Sequence, residues 1–179
     1  GIAQLFLGMD LKCAKCHDHP SVDDWKQAHY WGLFTYLNQT KQATNSKDKQ
    51  AYLVEGLATK KVEFQSVFET EKKNTGPRLP GGKEIEIPTF EKGQEFEKPA
   101  ADGLPAVPKF RPRELLARDL TAKDNPYFVR NSVNRFWFLM MGRGLVHPLD
   151  EVHGKNPPSH PALLDWLATE MMRVGWSCK

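Results

Sequence analysis

The stretch LKCAKCHDHP, residues 11 to 20, decides how the start of this chain is interpreted, because it places two cysteines and two histidines within ten positions. Cys13, Cys16 and His17 form the C-x-x-C-H arrangement that attaches haem c. Two thiols three positions apart reach the two vinyl groups of a porphyrin, and the adjacent imidazole ligates the iron. The spacing therefore predicts one covalent haem c on Cys13 and Cys16, with His17 as axial iron ligand.

Other uses of the two cysteines remain open. A zinc site would use Cys13, Cys16 and His19, but the chain has only one further cysteine, Cys178, to complete it. A redox dithiol and a pair of inert thiols are the remaining alternatives. We expect His19 to stabilise a turn. The sequence does not identify the second axial iron ligand; its formal candidates are His29, Met140, Met141, His147, His153 and His160, whereas Met9 is expected to belong to the core.

Apolar residues recur at steps of three and four over residues 2–17, which predicts a first helix ending before Pro20. A second helix is predicted through about Asn38, with Ser21, Asp23 or Asp24 as its N-cap. Together these helices make residues 1–50 a predicted haem-attachment region. The polar residues 40–50 are expected to form a solvated loop or the entry to a helix.

The segments KKVEFQSVF (60–68) and KEIEIPTF (83–90) alternate apolar and polar residues, as half-buried strands do. We therefore expect a short β-strand insert over residues 51–90. Four prolines and two glycines then fall within residues 91–112, which predicts a linker.

Helical periodicity returns over residues 113–179. The segment DNPYFVRNSVNRFWFLMMGRG has Asp124 or Asn125 as a candidate cap and Gly142 or Gly144 past its end. Its apolar stripe is expected to include Met140 or Met141. Another helix is predicted after PPSHP, with Ser159 as cap. The whole chain is therefore predicted to be mainly α with a small β insert (α+β), with a cytochrome-c-like helix pair and a C-terminal helical bundle.

Composition narrows the possible partners. The 25 basic and 22 acidic residues are interspersed and give a net charge of +3, so no nucleic acid partner is expected. No run approaches the roughly 18 apolar residues of a membrane span. The chain starts without Met or a leader, and we expect it to be a fragment, truncated at both ends, that contacts other parts of a larger chain.

A second group of polar residues lies near the start of the last helix. Arg143 with Asp150, Glu151 and Asn156 has the residue types of an acid and base pair, but a loop salt bridge is the favoured interpretation. Asn134 and Arg135 are expected to satisfy polar groups where their helix packs against the loop NPPS.

The segments FLGMDLKCAKCHDHP, NPYFVRNSVNRFWFLMMGRGLVHPLDEV and NPPSHPALLDWLATEMMRVGWSCK resemble planctomycete-type cytochrome-c-like proteins with paired domains of unknown function. The resemblance covers residues 1 to about 68 and 111–179. It implies an exported, periplasmic protein with haem c. We expect an electron-transfer module with a redox partner protein, rather than a self-contained enzyme. A haem-dependent oxidoreductase with an open iron site, and a non-haem scaffold whose cysteines bind zinc or form a disulfide, are the alternatives.

Overall fold

The computed structural model of the chain describes residues 1–45, 49–101 and 103–177. They form two compact units: unit 1 contains Gly1–Gln27 and Arg118–Lys179, and unit 2 contains Ala28–Ala117. Three parts of the sequence-based predictions lie outside the described residues, namely Cys178, residues 46–48 of the polar loop and residue 102 of the linker. The sequence-based division into four segments (1–50, 51–90, 91–112 and 113–179) follows other boundaries and remains a prediction.

Four α-helices and six short strands occur within the described residues. In chain order they are α1 (Gln27–Thr35), β1 (Thr40–Thr44), β2 (Ala51–Glu55), β3 (Val62–Gln65), β4 (Lys72–Thr75), β5 (Phe96–Lys98), β6 (Val107–Pro108), α2 (Pro112–Leu120), α3 (Phe128–Met141) and α4 (Pro161–Arg173). A π-helical turn (Ala3–Leu7) and a 3₁₀ turn (Cys13–Lys15) precede α1. The strands pair as three separate antiparallel hairpins: β1 with β2, β3 with β4, and β5 with β6.

The predicted cytochrome-c-like helix pair is wrong. Gly8, at φ 68°, ends the first turn, and Met9 then forms a β-bridge with Glu151. Beyond Gly8, Met9 and Leu11 are buried while Asp10 between them is not, as alternate residues of an extended segment are. The second predicted helix is shortened to α1. Helices contain 31% of the residues and strands 16%, and the strands form small antiparallel sheets. The prediction of a mainly helical fold with one β insert is therefore also wrong.

Unit 2 contains the strands, and two of their hairpins differ from the prediction. β3 forms within the predicted segment 60–68 and pairs with β4, whereas the segment 83–90, also predicted to be a strand, forms none. The region expected to be a polar loop contains β1, which pairs with β2. Most residues of β1 are exposed, so this strand lacks the apolar alternation that would have predicted it.

Unit 1 has its core between α3 and α4, which form where the sequence predicts them. Val133, Leu145, Val146 and Leu164 are its buried residues. At the start of α3, the Oδ1 atom of Asn125 accepts hydrogen bonds from the two backbone N–H groups that follow Pro126, at 3.0 and 3.4 Å. The N-cap residue itself is Tyr127 rather than the predicted Asp124 or Asn125. At the end of α3 the prediction holds, because the C-cap glycine at position 142 has φ 76°, a left-handed conformation that glycine adopts readily.

Two details of these helices differ from the prediction. Met140 and Met141 are 70% and 60% exposed, so they do not belong to the buried stripe of α3. Ser159 does not cap α4, whose N-cap is His160 without a side-chain hydrogen bond; Pro161 occupies the first turn.

Among the described residues, no helix has both the length and the apolar character needed to cross a membrane.

Candidate functional site

Cys13 and Cys16 lie on one turn at the surface of unit 1. The backbone N–H of Cys16 donates to the Cys13 carbonyl over 3.3 Å, which closes the 3₁₀ turn. Ala14, between them, is fully buried, whereas both cysteines are exposed and neither is in a disulfide. Cysteine is usually among the most buried residue types. The fold therefore does not use these two side chains for packing.

His17 follows directly and is half-buried. Its Nδ1 lies 2.6 Å from the carbonyl oxygen of Asp18. Because a carbonyl oxygen only accepts, Nδ1 must carry the proton, and the neutral ring then has its lone pair on Nε2. Histidines that bind a metal are commonly held in this way, with the non-ligating N–H donated to a backbone carbonyl.

Asp18, in contrast, has a structural role that the sequence did not suggest. Its Oδ1 accepts a 2.8 Å hydrogen bond from the backbone N–H of Gln27, the first residue of α1. Its other carboxylate oxygen lies 3.2 Å from Lys26. Asp18 therefore satisfies one of the unpaired donors at the helix start.

The three residues predicted to cap this helix have other contacts. The carbonyl of Ser21 accepts from Lys155 over 3.2 Å. Asp23 forms an ion pair with Lys155 at 2.8 Å, whose hydrogen bond and charge hold the pKa of Asp23 below its usual value. Asp24 accepts from the backbone N–H of Gly154 at 3.0 Å.

His19 stabilises a turn, as predicted. Its Nδ1 accepts from the backbone N–H groups of Ser21 and Val22, at 3.3 and 3.1 Å. Its ring meets Trp25 edge to face, with the centroids 5.1 Å apart. Since Nδ1 is an acceptor here, the neutral ring carries its proton on Nε2, and neither nitrogen is prepared for a metal ion.

The donor groups differ in how well they suit the two predicted cofactors. No group of three or more His, Cys, Asp or Glu side chains able to hold a metal ion is found in the described part of the chain. The zinc set with His19 is therefore not assembled there. Haem c requires two accessible thiols on one turn and one imidazole beside them. Cys13, Cys16 and His17 fit that requirement.

The formal candidates for a second iron ligand mostly have other surroundings. His147 stacks on Phe138 with the ring centroids 6.2 Å apart, and His153 packs against Trp25. Met9 is buried in the core, as expected. Met140, Met141 and His160 are exposed. The structure thus assigns no second ligand.

The predicted loop salt bridge forms, but with a different arginine. Arg135 donates to both the carboxylate of Asp150 and the backbone oxygen of Gln4, whereas Arg143 is exposed. Glu151 lies 3.2 Å from His153 instead. The two acids therefore have separate partners and do not form an acid and base pair around Arg143.

Two buried asparagines of α3 were only partly foreseen. Asn134 exchanges two hydrogen bonds of 2.9 Å with the backbone of Val146. Asn131, which no sequence motif singled out, donates to the Leu5 carbonyl over 2.8 Å. Their spacing of three places both on one helix face, and that spacing was the available signal.

Two family models match the chain. Residues 1–42 match PSCyt2, a protein of unknown function (DUF1549), and residues 112–179 match PSD1, a protein of unknown function (DUF1553). No curated protein and no solved structure matches the chain. At its two ends the chain therefore matches the paired domains of unknown function that are typical of planctomycete-type proteins.

Proposed function

We propose that the turn from Cys13 to His17 holds one covalently attached haem c, and that the protein exchanges electrons with a redox partner protein. One observation carries the proposal. Within the sequence CHDHP, Asp18 caps α1 and His19 holds a turn, so the fold accounts for both. It does not account for the exposed thiols of Cys13 and Cys16.

In this proposal, Cys13 and Cys16 hold the porphyrin through two thioethers, and Nε2 of His17 binds the iron. The bound haem supplies reversible one-electron chemistry. Because both thiols are exposed, the attached group lies close to the protein surface, within reach of a partner. Attachment of this cofactor is expected in a periplasmic or otherwise exported compartment, and the same proposal places the protein there.

The test is to produce the full chain in a host that matures c-type haem, and then to record its intact mass and visible spectrum. We expect the mass of one haem to be added and a c-type spectrum. Changing both Cys13 and Cys16 to Ser should abolish both signals, whereas Cys178→Ser, the matched control, should keep them. An unmodified mass for the wild-type chain would overturn the proposal.

The His17→Ala variant tests the axial ligand separately. If some haem is attached, its iron spectrum should change, because the imidazole is lost. Binding of carbon monoxide to the reduced wild-type protein would instead indicate the open iron site of a haem oxidoreductase.

A redox dithiol is the second candidate, because the same two cysteines are free, exposed and on one turn. In that case oxidation removes two hydrogens and forms one S–S bond. Mass spectrometry of haem-free protein after mild oxidation would detect the loss of two hydrogens. The experiment uses the Cys178→Ser variant, in which only Cys13 and Cys16 are left to form the bond.

A further inference from the structure

Unit 2 contains a cleft of about 230 Å³ that runs beside strand β2. It is lined by four consecutive residues of β2, Tyr52–Glu55, by the segment Leu104–Pro108, and by Arg111 and Arg113. Within the described chain, β1 contributes no residue to its walls. Successive side chains of a strand point to opposite faces, so four residues in a row line one cleft only where it follows the edge of the strand. This edge of β2 is therefore the one that faces away from β1.

The hydrogen bonds of the β1–β2 hairpin show which backbone groups point to this edge. The N–H of Gly56 donates to the carbonyl of Gln39 over 2.8 Å. In an antiparallel pair, hydrogen-bonded positions alternate with positions that are not bonded to each other. Leu53, opposite Gln42, lies three residues before Gly56 and is therefore a non-bonded position. Its N–H and C=O point away from β1, towards the cleft.

These backbone groups of Leu53 are available to another chain. Within residues 1–45, 49–101 and 103–177, neither its N–H nor its C=O has a hydrogen-bond partner. Leu53 is also 63% exposed, so the position is accessible. A strand edge with unpaired backbone groups readily accepts a further extended chain as an additional strand.

The opposite wall of the cleft is apolar and does not complete the sheet. Its five residues, 104–108, have the sequence LPAVP. Two of them are prolines, which have no N–H to donate, and the N–H of Leu104 already donates to the Ala101 carbonyl over 2.8 Å. Leu104 is 49% exposed. This wall therefore suits apolar side chains of an added strand.

The cleft carries positive charge where β2 ends. The backbone N–H of Arg113 donates to the carboxylate of Glu55, the last residue of β2, over 2.7 Å. Arg111 pairs with Glu114 at 2.8 Å. The guanidinium of Arg113, in contrast, forms no ion pair within the described part of the chain. This end of the cleft therefore favours a negatively charged group on the added strand.

We propose that the cleft binds an extended peptide segment of a partner protein, which adds to β2 as a strand and places an acidic side chain beside Arg113. At about 3.3 Å per residue, the four β2 residues in the cleft span about 13 Å, enough for four or five residues of the segment. A second copy of β2 would complement the charge poorly, because its only acid, Glu55, already accepts from the Arg113 N–H. The proposal does not depend on haem.

The test titrates the full, haem-free chain into fluorescein-labelled hexapeptide amides and records fluorescence anisotropy. The peptides DTVTVG and GTVTVD carry the acid at opposite ends, as antiparallel and parallel addition to β2 require. NTVTVG and GTVTVN are their neutral controls. We expect saturable binding of one acidic peptide, about fivefold tighter than its neutral control.

Three variants separate the backbone from the charge. Leu53→Pro removes the N–H that points to the cleft, a change that a strand edge tolerates, and should weaken binding at least about tenfold. Gln42→Pro, the matched control, makes the same change at the other edge of the hairpin and should leave the affinity unchanged. Arg113→Gln should remove the preference for the acidic peptide over its neutral control.

Amide hydrogen exchange of the ¹⁵N-labelled wild-type chain decides even if Leu53→Pro does not fold. Saturation with the acidic peptide should slow exchange at the Leu53 N–H, because that group becomes hydrogen-bonded in the new ladder. Exchange at the Gln42 N–H, on the opposite edge, should not change.

Four results would overturn the proposal. They are the absence of saturable binding for both acidic peptides, equal affinity for an acidic peptide and its neutral control, unchanged affinity in a folded Leu53→Pro, and unchanged exchange at Leu53. Self-association of the chain that Leu53→Pro abolishes, without peptide binding, would assign the edge to a second copy instead.

Discussion

The substitution Asn134→Ala tests how unit 1 is held together. The Asn134 side chain donates to the carbonyl of Val146 and accepts from its N–H, both at 2.9 Å, and is itself 1% exposed. Val146 is 3% exposed, so its backbone groups depend on Asn134 rather than on bulk water for hydrogen bonds. Alanine therefore leaves a buried donor and a buried acceptor without partners.

The expected loss is set by these two groups. Leaving a buried polar group unsatisfied costs about 1–3 kcal/mol. Alanine recovers about 0.5 kcal/mol of helix propensity relative to asparagine, which offsets a small part. We expect the free energy of unfolding to fall by about 3 kcal/mol, a large fraction of the roughly 5–15 kcal/mol of a typical domain.

Urea denaturation followed by tryptophan fluorescence suits this measurement, because four of the five tryptophans, Trp25, Trp137, Trp166 and Trp176, belong to unit 1. The matched control is Ser132→Ala on the same helix, which removes only a bond to the carbonyl of Phe128 and should change stability by less than about 0.5 kcal/mol. A loss below about 1 kcal/mol for Asn134→Ala, with an unchanged urea slope, would refute the reasoning.

Three further predictions concern stability, measured by urea unfolding. Asp18→Ala removes the acceptor at the start of α1 and should cost about 1 kcal/mol, whereas Asp18→Asn should cost less. Gly144→Ala places a Cβ atom 2.4 Å from the carbonyl oxygen of Val146 and should cost more than about 2 kcal/mol; a neutral result would contradict this packing. Burial alone would raise the pKa of Glu84, but its hydrogen bond and ion pair with Lys61, at 2.5 Å, and its contacts with Gly76 and Thr75 lower it below 4.5. The Glu84 carboxylate therefore stabilises the folded chain above pH 4.5, and this stabilisation is lost as the pH falls through the lowered pKa. Between about pH 7 and about pH 3, the free energy of unfolding should thus fall less for Glu84→Gln than for the wild type.

The C-terminal helices were predictable because local signals mark their ends. The Asn125 side chain accepts from the N–H of Phe128, the first residue of α3, Gly142 ends that helix, and Pro161 starts α4. Each of these acts within a few residues of its own position. The start of the chain was not predictable in this way. Its extended segment is stabilised by hydrogen bonds to residues far along the chain, for example from Val152 N–H to the Gly8 carbonyl at 2.9 Å. Apolar spacing alone suggested a helix there.

The cysteine turn and the cavity of unit 1 lined by Trp25, Asn131 and His153 differ for the same reason. Cys13, Cys16 and His17 are close in the sequence, so their spacing alone raised the haem hypothesis. The cavity combines Trp25, Asn131 and a histidine from the loop before α4, which lie far apart in the sequence. No pattern in the sequence links these residues, and only tertiary structure brings them together.

The construction of unit 1 from both ends of the chain has a consequence for biosynthesis. The N–H of Asp10 donates to the carbonyl of Asp150, about 140 residues later. At about 5–20 residues per second, a ribosome needs on the order of ten seconds to translate that interval. During this time the N-terminal segment that carries the cysteine turn lacks these partners, so it cannot take its final place in unit 1 before the residues around Asp150 have been translated.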